Sequence, residues 1–166
     1  MEDYRAKIKN QAAMKVAVER VKQEGKKVVF TNGCFDILHL GHIRYLYGAK
    51  KCGDYLVVGL NSDASVKIIK GENRPVISEQ ARAELLAALC FVDGVVLFDE
   101  EHPLALIRHL QPQVLVKGAD WEEADIIGAD LITKQGGEVI RIPLTPHCST
   151  SDIIRRIADL DSRGIR

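Results

Sequence analysis

The chain has 166 residues, of which 46% are hydrophobic, so it is long enough to bury a continuous core without disulfides or metals. Lysine and arginine together number 23 and balance 23 aspartates and glutamates, so no overall positive field attracts nucleic acid or a membrane surface. The four cysteines are scattered, which excludes a Cys-x-x-Cys zinc or dithiol motif and favours free thiols in a reducing cytoplasm. The first residues are charged, and no apolar run approaches the roughly 20 residues that span a bilayer. We therefore expect a cytoplasmic protein that is neither secreted nor inserted in a membrane.

The predicted elements begin with a peripheral helix over residues 3–24, in which Ile8, Ala12 and Val16 follow a weak helical period and Gly25 is the stop. Short runs rich in β-branched residues then alternate with helical stretches. Strands are predicted at 28–31, 55–60, 94–98, 114–116 and 139–142. Helices are predicted at 41–52, 78–89, 103–110, 124–135 and 149–160. We expect one domain over residues 1–166, with a peripheral segment (1–25) and an α/β core (26–160).

Most of the strand runs are apolar throughout, as parallel strands are when helices cover both faces. The alternation of strand and helix predicts an open, doubly wound, Rossmann-like α/β sheet of about five parallel strands with helices on both faces. In such a sheet, ligands bind outside the carboxyl ends of the strands, where the strand order reverses. The turns that follow the strands are therefore the candidate sites.

The turn after the first strand reads TNGCFDILHLGH over residues 31–42 and leads directly into a helix. It matches neither the Walker loop nor the dinucleotide-binding fingerprint. Gly33 and Gly41 let a phosphate approach the backbone near a helix N-terminus, and His39 and His42 can donate hydrogen bonds to phosphate oxygens. A helix cap or a partial metal site is the alternative, although zinc is disfavoured because no third ligand lies nearby. We favour a triphosphate site.

A second phosphate-binding site is predicted near the C-terminus, where the last helix begins with Ser149, Thr150 and Ser151. Ser149 and Asp152 have the spacing of a capping box, with Asp in place of the usual Glu or Gln. Three hydroxyls at the positive end of a helix dipole suit a phosphate group. Plain helix capping is the alternative interpretation.

The middle of the chain offers cationic partners for an anionic acceptor. The basic stretch at 67–75, which we place in a loop after the second strand, contains Lys70 and Arg74. Arg82 shares a helical stripe with leucines, so it faces inward or snorkels along the edge of the core. The turn after the fourth strand carries Lys117, Gly118 and the acidic Asp120. An ordinary solvated surface is the alternative for each of these charges.

Two segments resemble a known superfamily. FDILHLGH at 35–42 resembles the signature of the cytidylyltransferase-like nucleotidyltransferases, and CSTS at 148–151 resembles their Cys-Ser-Thr-Thr element. With GENRPV at 71–76, VKGAD at 116–120 and GGEV at 136–139, the stretch 30–157 is similar to the heptose 1-phosphate adenylyltransferases of lipopolysaccharide precursor synthesis. That resemblance implies transfer of AMP from ATP to a sugar 1-phosphate, with release of pyrophosphate and with Mg²⁺ carried by the ATP phosphates rather than by protein ligands. Many such relatives are fused to a sugar kinase, so we expect a separate kinase to supply the acceptor.

The residues and the resemblance together assign three roles. The catalytic pair is His39 and His42. The predicted nucleotide-binding residues are Asn32, Gly33, Cys34, Phe35, Gly41, Lys117, Gly118, Asp120, Ser149, Thr150 and Ser151. The predicted acceptor-binding residues are Asp36, Asn61, Lys70, Arg74 and Arg82.

Other functions stay open at this point. A cytidylyltransferase for glycerol 3-phosphate fits the first motif, although LTPH at 144–147 stands where those enzymes usually have Arg-Thr-Glu-Gly. An adenylyltransferase for a flavin or pantetheine precursor is a weaker rival. A non-catalytic nucleotide-binding sensor would keep the same pocket. No patch in the sequence decides whether the chain forms a homodimer, as relatives do.

Overall fold

Five parallel strands form one sheet in this computed structural model, which describes residues 3–146 and 148–162. His147, in the predicted lead-in to the last helix, lies outside them. The strands are Val28–Gly33 (β1), Tyr55–Asn61 (β2), Gly94–Phe98 (β3), Val114–Gly118 (β4) and Glu138–Ile142 (β5). Their order is β3-β2-β1-β4-β5, and all four neighbouring pairs are parallel. The predicted doubly wound sheet is confirmed, and its strand order reverses between β1 and β4.

Helices cover both faces of the sheet, which explains why the strands are apolar throughout. The helices are Gln11–Gln23 (α1), Leu40–Lys50 (α2), Asp63–Lys70 (α3), Glu79–Ala87 (α4), Leu104–Leu110 (α5), Ala129–Lys134 (α6) and Thr150–Ser162 (α7). Phe30 of β1 packs in one core cluster with residues of α1, α5 and α6. Val29, which points to the other face, packs with residues of α2 and α4. No helix in the described ranges is both long and apolar enough to cross a bilayer.

The N-terminal segment differs from the single peripheral helix that the sequence predicts. A short 3₁₀ helix, Tyr4–Lys7, precedes α1, and the side chain of Asn10 caps α1 by accepting a hydrogen bond from the Ala13 N–H at 2.8 Å. Met14 and Val18 are fully buried, whereas Val16 of the predicted apolar stripe is 71% exposed. The helix therefore contributes to the core rather than lying at its periphery, and its buried face differs from the weak period that runs through Val16.

The basic stretch after β2 is also not a loop throughout. Its first half lies in α3, where Ser62 caps the helix by accepting from the Ser65 N–H, and Val66 is buried. Gly71, at φ +95°, ends the helix in a conformation that favours glycine. The predicted helix at 124–135 is shorter than expected, since a 3₁₀ turn, Glu123–Asp125, precedes α6.

Candidate active site

A cavity of about 670 Å³ opens at the carboxyl ends of the strands, beside the point where their order reverses. Its volume lies within the range of roughly 300–1,000 Å³ that is typical of small-molecule sites. Every residue that the sequence predicts for the site lines this cavity, apart from Arg82. The turns after β1, β2 and β4 and the start of α7 are therefore brought together, as the parallel topology requires.

His39 and His42 form a stacked pair in this cavity. Their ring centroids lie 3.8 Å apart with an interplanar angle of 23°, and Phe35 contacts His42 edge-on at 5.3 Å. His39 occupies the position before α2, but its side chain makes no capping hydrogen bond. Both Nδ1 atoms are buried, and neither has a hydrogen-bond partner within residues 3–146 and 148–162. Buried polar atoms without partners are uncommon in proteins.

The environment of the pair favours neutral imidazoles in the free protein. Burial and the neighbouring His39 lower the pKa of His42 to about 4, against a smaller opposing effect of Asp36. Burial also lowers the pKa of His39. A bound polyphosphate would reverse this balance, because negative charge nearby favours the protonated ring. The two histidines are thus suited to gain protons when an anion enters.

The tips of α2 and α7 meet at this point. The Thr150 hydroxyl donates a 2.6 Å hydrogen bond to the main-chain carbonyl of Asp36, which connects the start of α7 to the turn before α2. A Cβ added to Gly41 would lie only 3.0 Å from the His39 ring and 3.1 Å from Cys148 Cβ. A larger residue at this position would crowd the His39 ring and the start of α7.

Both helix tips present backbone N–H groups that precede the first hydrogen bond of the helical ladder. In α2 that bond runs from the Ile43 N–H to the His39 carbonyl, and in α7 from the Ile153 N–H to the Ser149 carbonyl. Ser149 also caps α7, since its Oγ accepts from the Asp152 N–H at 3.1 Å. The earlier N–H groups and the positive ends of the two dipoles form a region suited to an anion with several charges.

Lys117 approaches the cavity from the end of β4. Its Nζ donates to the Asn32 side chain across the β1–β4 crevice. Burial lowers its pKa to about 8, and Asp120 opposes that shift. The ammonium is mostly protonated at neutral pH and can pair with a phosphate.

The opposite side of the cavity holds the cations predicted for the acceptor. Lys70 lies at the end of α3, and Arg74 lies in the following loop, where its Nε donates to the Asp36 carboxylate at 2.8 Å. Burial acts to raise the pKa of Asp36, but hydrogen bonds from the Val76 and Ile77 N–H groups and from Arg74 bring it below its usual value. The carboxylate is therefore charged and fully engaged within the protein.

Arg82 does not reach the cavity, which corrects its predicted role as an acceptor-binding residue. The side chain is fully buried, and its guanidinium donates to the main-chain carbonyls of Ile77, Cys34 and Asn61 and to the Asp63 carboxylate. Of the two orientations that the sequence leaves open, facing inward and snorkelling along the edge of the core, the structure shows the first. Three of its four partners are main-chain carbonyls near the carboxyl ends of β1 and β2 and in the loop before α4, so it connects these segments beside the site.

Several lining residues carry no sequence signal that singles them out. They are Tyr45, Ile69, Glu101, His102, Pro103, Trp121, Asp125, Ile126, Ile127, Leu144 and Thr145. The segments after β3 and β5 follow the general rule that ligands lie beyond strand ends, but they contain neither a glycine turn nor a basic cluster. The role of Tyr45 becomes visible only in the structure. Its hydroxyl shares a 2.7 Å hydrogen bond with the Thr31 hydroxyl and donates to the Val116 carbonyl at 3.1 Å.

Comparisons with known proteins agree with this geometry. The profile of the family described as cytidylyltransferase-like matches residues 30–156. The chain is 49% identical over 162 residues to the bifunctional protein HldE of Syntrophotalea carbinolica, covering 98% of this chain and 33% of that protein. It is 54% identical over 157 residues to the bifunctional protein HldE of Campylobacter jejuni subsp. doylei, covering 95% and 32%. The chain thus spans about a third of the length of these relatives.

A solved structure is also similar to this chain in sequence and in fold. The lipopolysaccharide core biosynthesis protein of Thermoplasma volcanium superposes with a TM-score of 0.61 at 33% identity, over 75% of this chain and 100% of that one. The family match covers the sheet except for the first two residues of β1, together with both histidines and the first half of α7. The chain therefore belongs to the cytidylyltransferase-like family of nucleotidyltransferases.

Proposed function

We propose that this chain transfers AMP from ATP to heptose 1-phosphate, giving ADP-heptose and pyrophosphate for the synthesis of a lipopolysaccharide or surface-glycan precursor. The observation that carries the proposal is the Thr150–Asp36 contact, which brings two helix tips and the histidine pair to one cavity. The resemblance of the motifs to heptose 1-phosphate adenylyltransferases supports ATP and a sugar phosphate as substrates. The solved neighbour described as a lipopolysaccharide core biosynthesis protein supports the pathway.

In this reaction an oxygen of the sugar phosphate attacks the α-phosphorus of ATP. The new O–P bond forms as the bond to the bridging oxygen of the β-phosphate breaks, and the bond electrons leave with pyrophosphate. Because the attacking oxygen is already an anion, no protein base is needed. Catalysis then depends on positioning and on stabilising charge at phosphorus. The α2 and α7 tips and Lys117 hold the triphosphate, and Lys70 and Arg74 hold the acceptor.

His39 and His42 donate hydrogen bonds to the phosphate oxygens as charge builds during transfer. Both side chains line the cavity, which fits that role. Replacing either histidine by Ala should lower kcat by about 10²-fold or more. Unchanged turnover in His42→Ala would remove His42 from the catalytic pair.

Mg²⁺ is proposed to enter with ATP. Within the described ranges, no three His, Cys, Asp or Glu side chains gather in a way that could hold a metal ion. Mg²⁺ usually keeps several water ligands and is held by substrate phosphates in enzymes that act on ATP. When bound in this way, Mg²⁺ neutralises the departing pyrophosphate.

The deciding experiment is an assay of pyrophosphate release. ATP and CTP are each tested with heptose 1-phosphate and with glycerol 3-phosphate. Turnover only with ATP and heptose 1-phosphate supports the proposal, and preference for CTP with glycerol 3-phosphate replaces it with the cytidylyltransferase alternative. ATP binding without pyrophosphate release from any pair would indicate a nucleotide sensor.

A further inference from the structure

We propose that Asp36 acts as a positioning residue that aims Arg74 at the acceptor phosphate and fixes the acceptor loop (residues 71–78) to the nucleotide site. This inference rests on the proposed function for the identity of the acceptor. It replaces the expectation from the sequence that Asp36 itself contacts the substrate.

The side chain of Asp36 is occupied by the acceptor loop. It is 1% exposed, and its Oδ2 accepts from Arg74 Nε at 2.8 Å and from the Val76 N–H at 2.9 Å. Its Oδ1 accepts from the Ile77 N–H at 3.0 Å. A buried carboxylate with three donors, one of them a guanidinium, is poorly placed to bind an anionic sugar phosphate, because like charges repel.

The same contacts leave Arg74 ready for an anion. The guanidinium uses Nε for Asp36, and its Nη groups donate to no acceptor within the described residues. Its side chain is 18% exposed and lines the cavity beside Lys70. A guanidinium held at Nε keeps the fork of Nη donors that pairs with two phosphate oxygens. Asp36 already restricts the side chain of Arg74 in the free protein, so Arg74 loses less conformational entropy when the acceptor binds.

The main chain of Asp36 makes the second half of the connection. Its carbonyl accepts the Thr150 hydroxyl at the tip of α7, so one residue contacts both the acceptor loop and a helix that holds the triphosphate. Arg82 adds a parallel link, because it donates both to the Cys34 carbonyl in the first turn and to the Ile77 carbonyl in the acceptor loop. Movement of the acceptor loop relative to the nucleotide is therefore opposed at two places. In-line attack requires that alignment.

Hydrogen exchange tests the link without any substrate. In Asp36→Asn, the amides of the acceptor loop should exchange about 10-fold faster or more, because two of their N–H groups lose a carboxylate acceptor. Asp93→Asn is the matched control. Asp93 also binds a cation, Lys50 at 2.6 Å, and a backbone N–H, that of Leu56 at 2.7 Å, but it lies at the opposite edge of the sheet, where β2 and β3 begin. Exchange in the acceptor loop should not change there. Equal protection of the loop in Asp36→Asn and the parent protein would overturn the proposal.

A double-mutant cycle separates positioning from direct contact. Asp36→Asn should raise the KM for heptose 1-phosphate about 10- to 100-fold, because a charge-assisted bond that orients Arg74 is lost. The dissociation constant for ATP should stay within about twofold, because the carbonyl that Thr150 contacts is retained. In the Arg74→Ala background, Asp36→Asn should have little further effect on kcat/KM. Effects that multiply fully in the double variant would show that Asp36 acts independently of Arg74 and would reject the proposal.

Two outcomes of these experiments must be kept apart. If the parent protein releases no pyrophosphate with heptose 1-phosphate, the proposed function fails, while the exchange experiment still decides whether Asp36 holds the loop. If Asp36→Asn does not fold, Asp36→Glu keeps the charge and moves it by one methylene. That variant should give a smaller rise in exchange and in KM, and parent-like values for both would count against the positioning role.

Discussion

His42, which is half-buried and neutral in the free protein, makes the stability of that protein depend on pH. Its pKa is lowered from 6.5 to about 4, whereas the unfolded chain keeps the ordinary value. The unfolded state therefore binds more protons between those two values, so the stabilising contribution is present above pH 6.5 and is lost as the pH falls towards 4. A shift of this size corresponds to about 3 kcal/mol in full, and about 2 kcal/mol of it is lost between about pH 8 and pH 5.

Chemical denaturation of the parent protein and of His42→Gln at these two pH values measures this contribution. Gln is polar but does not titrate in this range. When the pH falls from about 8 to 5, the free energy of unfolding should decrease by about 2 kcal/mol more in the parent than in the variant. The contributions of the other carboxylates and histidines are the same in both proteins and cancel in this comparison. His39→Gln must be measured as well, since the two rings repel when charged. A difference below about 0.5 kcal/mol would refute the view that His42 is held neutral.

The same argument predicts proton uptake when ATP binds. The triphosphate should raise the pKa of His42 towards or above neutrality, because the nearby negative charge offsets the loss of solvation. Calorimetric titration of ATP at pH 7 in two buffers of different ionisation enthalpy should show uptake of a fraction of a proton. That uptake should disappear in His42→Gln, and equal uptake in the variant would assign it to another group.

Three further predictions concern the cavity. Gly41→Ala should lower kcat/KM for ATP by about tenfold or more, because the new Cβ meets the His39 ring. Gly48→Ala in the same helix is the control. Its Cβ meets only the flexible Ile142 side chain at 3.2 Å, so kcat/KM for ATP should not change. Lys117, with its pKa of about 8, should make kcat/KM for ATP fall as the pH rises through that value, and Lys117→Arg should shift this decline to higher pH. Thr150→Val should lower turnover while Thr150→Ser restores it, since only the hydroxyl contacts the Asp36 carbonyl; steady-state assays of the pair test this.

The sheet was predictable because its strands are buried on both faces and therefore read as unbroken apolar runs. The sequence analysis did not predict α3, because most of this helix is exposed. Only Ser65 and Val66 are buried in its eight residues, and its lysines give the appearance of a solvated loop. Its signals were local, namely the cap at Ser62 and the stop at Gly71. The buried face of α1, formed by Met14, Val18 and Val21, does follow the i, i+4, i+7 spacing of a helix, but the prediction followed a different set of positions through Val16.

The candidate site was predictable where its residues are contiguous in the chain. A strand followed by a glycine turn and a helix places the first motif at the sheet edge from topology alone. Glu101 and Leu144 line the same cavity, but nothing in their own segments distinguishes them from surface residues. Arg82 shows a different limit. Its position in an apolar stripe predicts burial, but its acceptors are mostly backbone carbonyls, which every residue has.

The charges around the cavity give a physical reason for two histidines that are neutral in the free protein and become protonated when ATP binds. Two unit charges at 4 Å repel by about 4 kcal/mol at an effective dielectric constant of about 20, so an acceptor phosphate cannot approach ATP without nearby cations. Arg74 and Lys70 supply fixed positive charge where we propose that the acceptor binds. Stacked imidazolium rings 3.8 Å apart would repel each other in the empty cavity, which is one cause of the low pKa of His42. Protonation driven by ATP would add positive charge only when a second anion has to be accommodated.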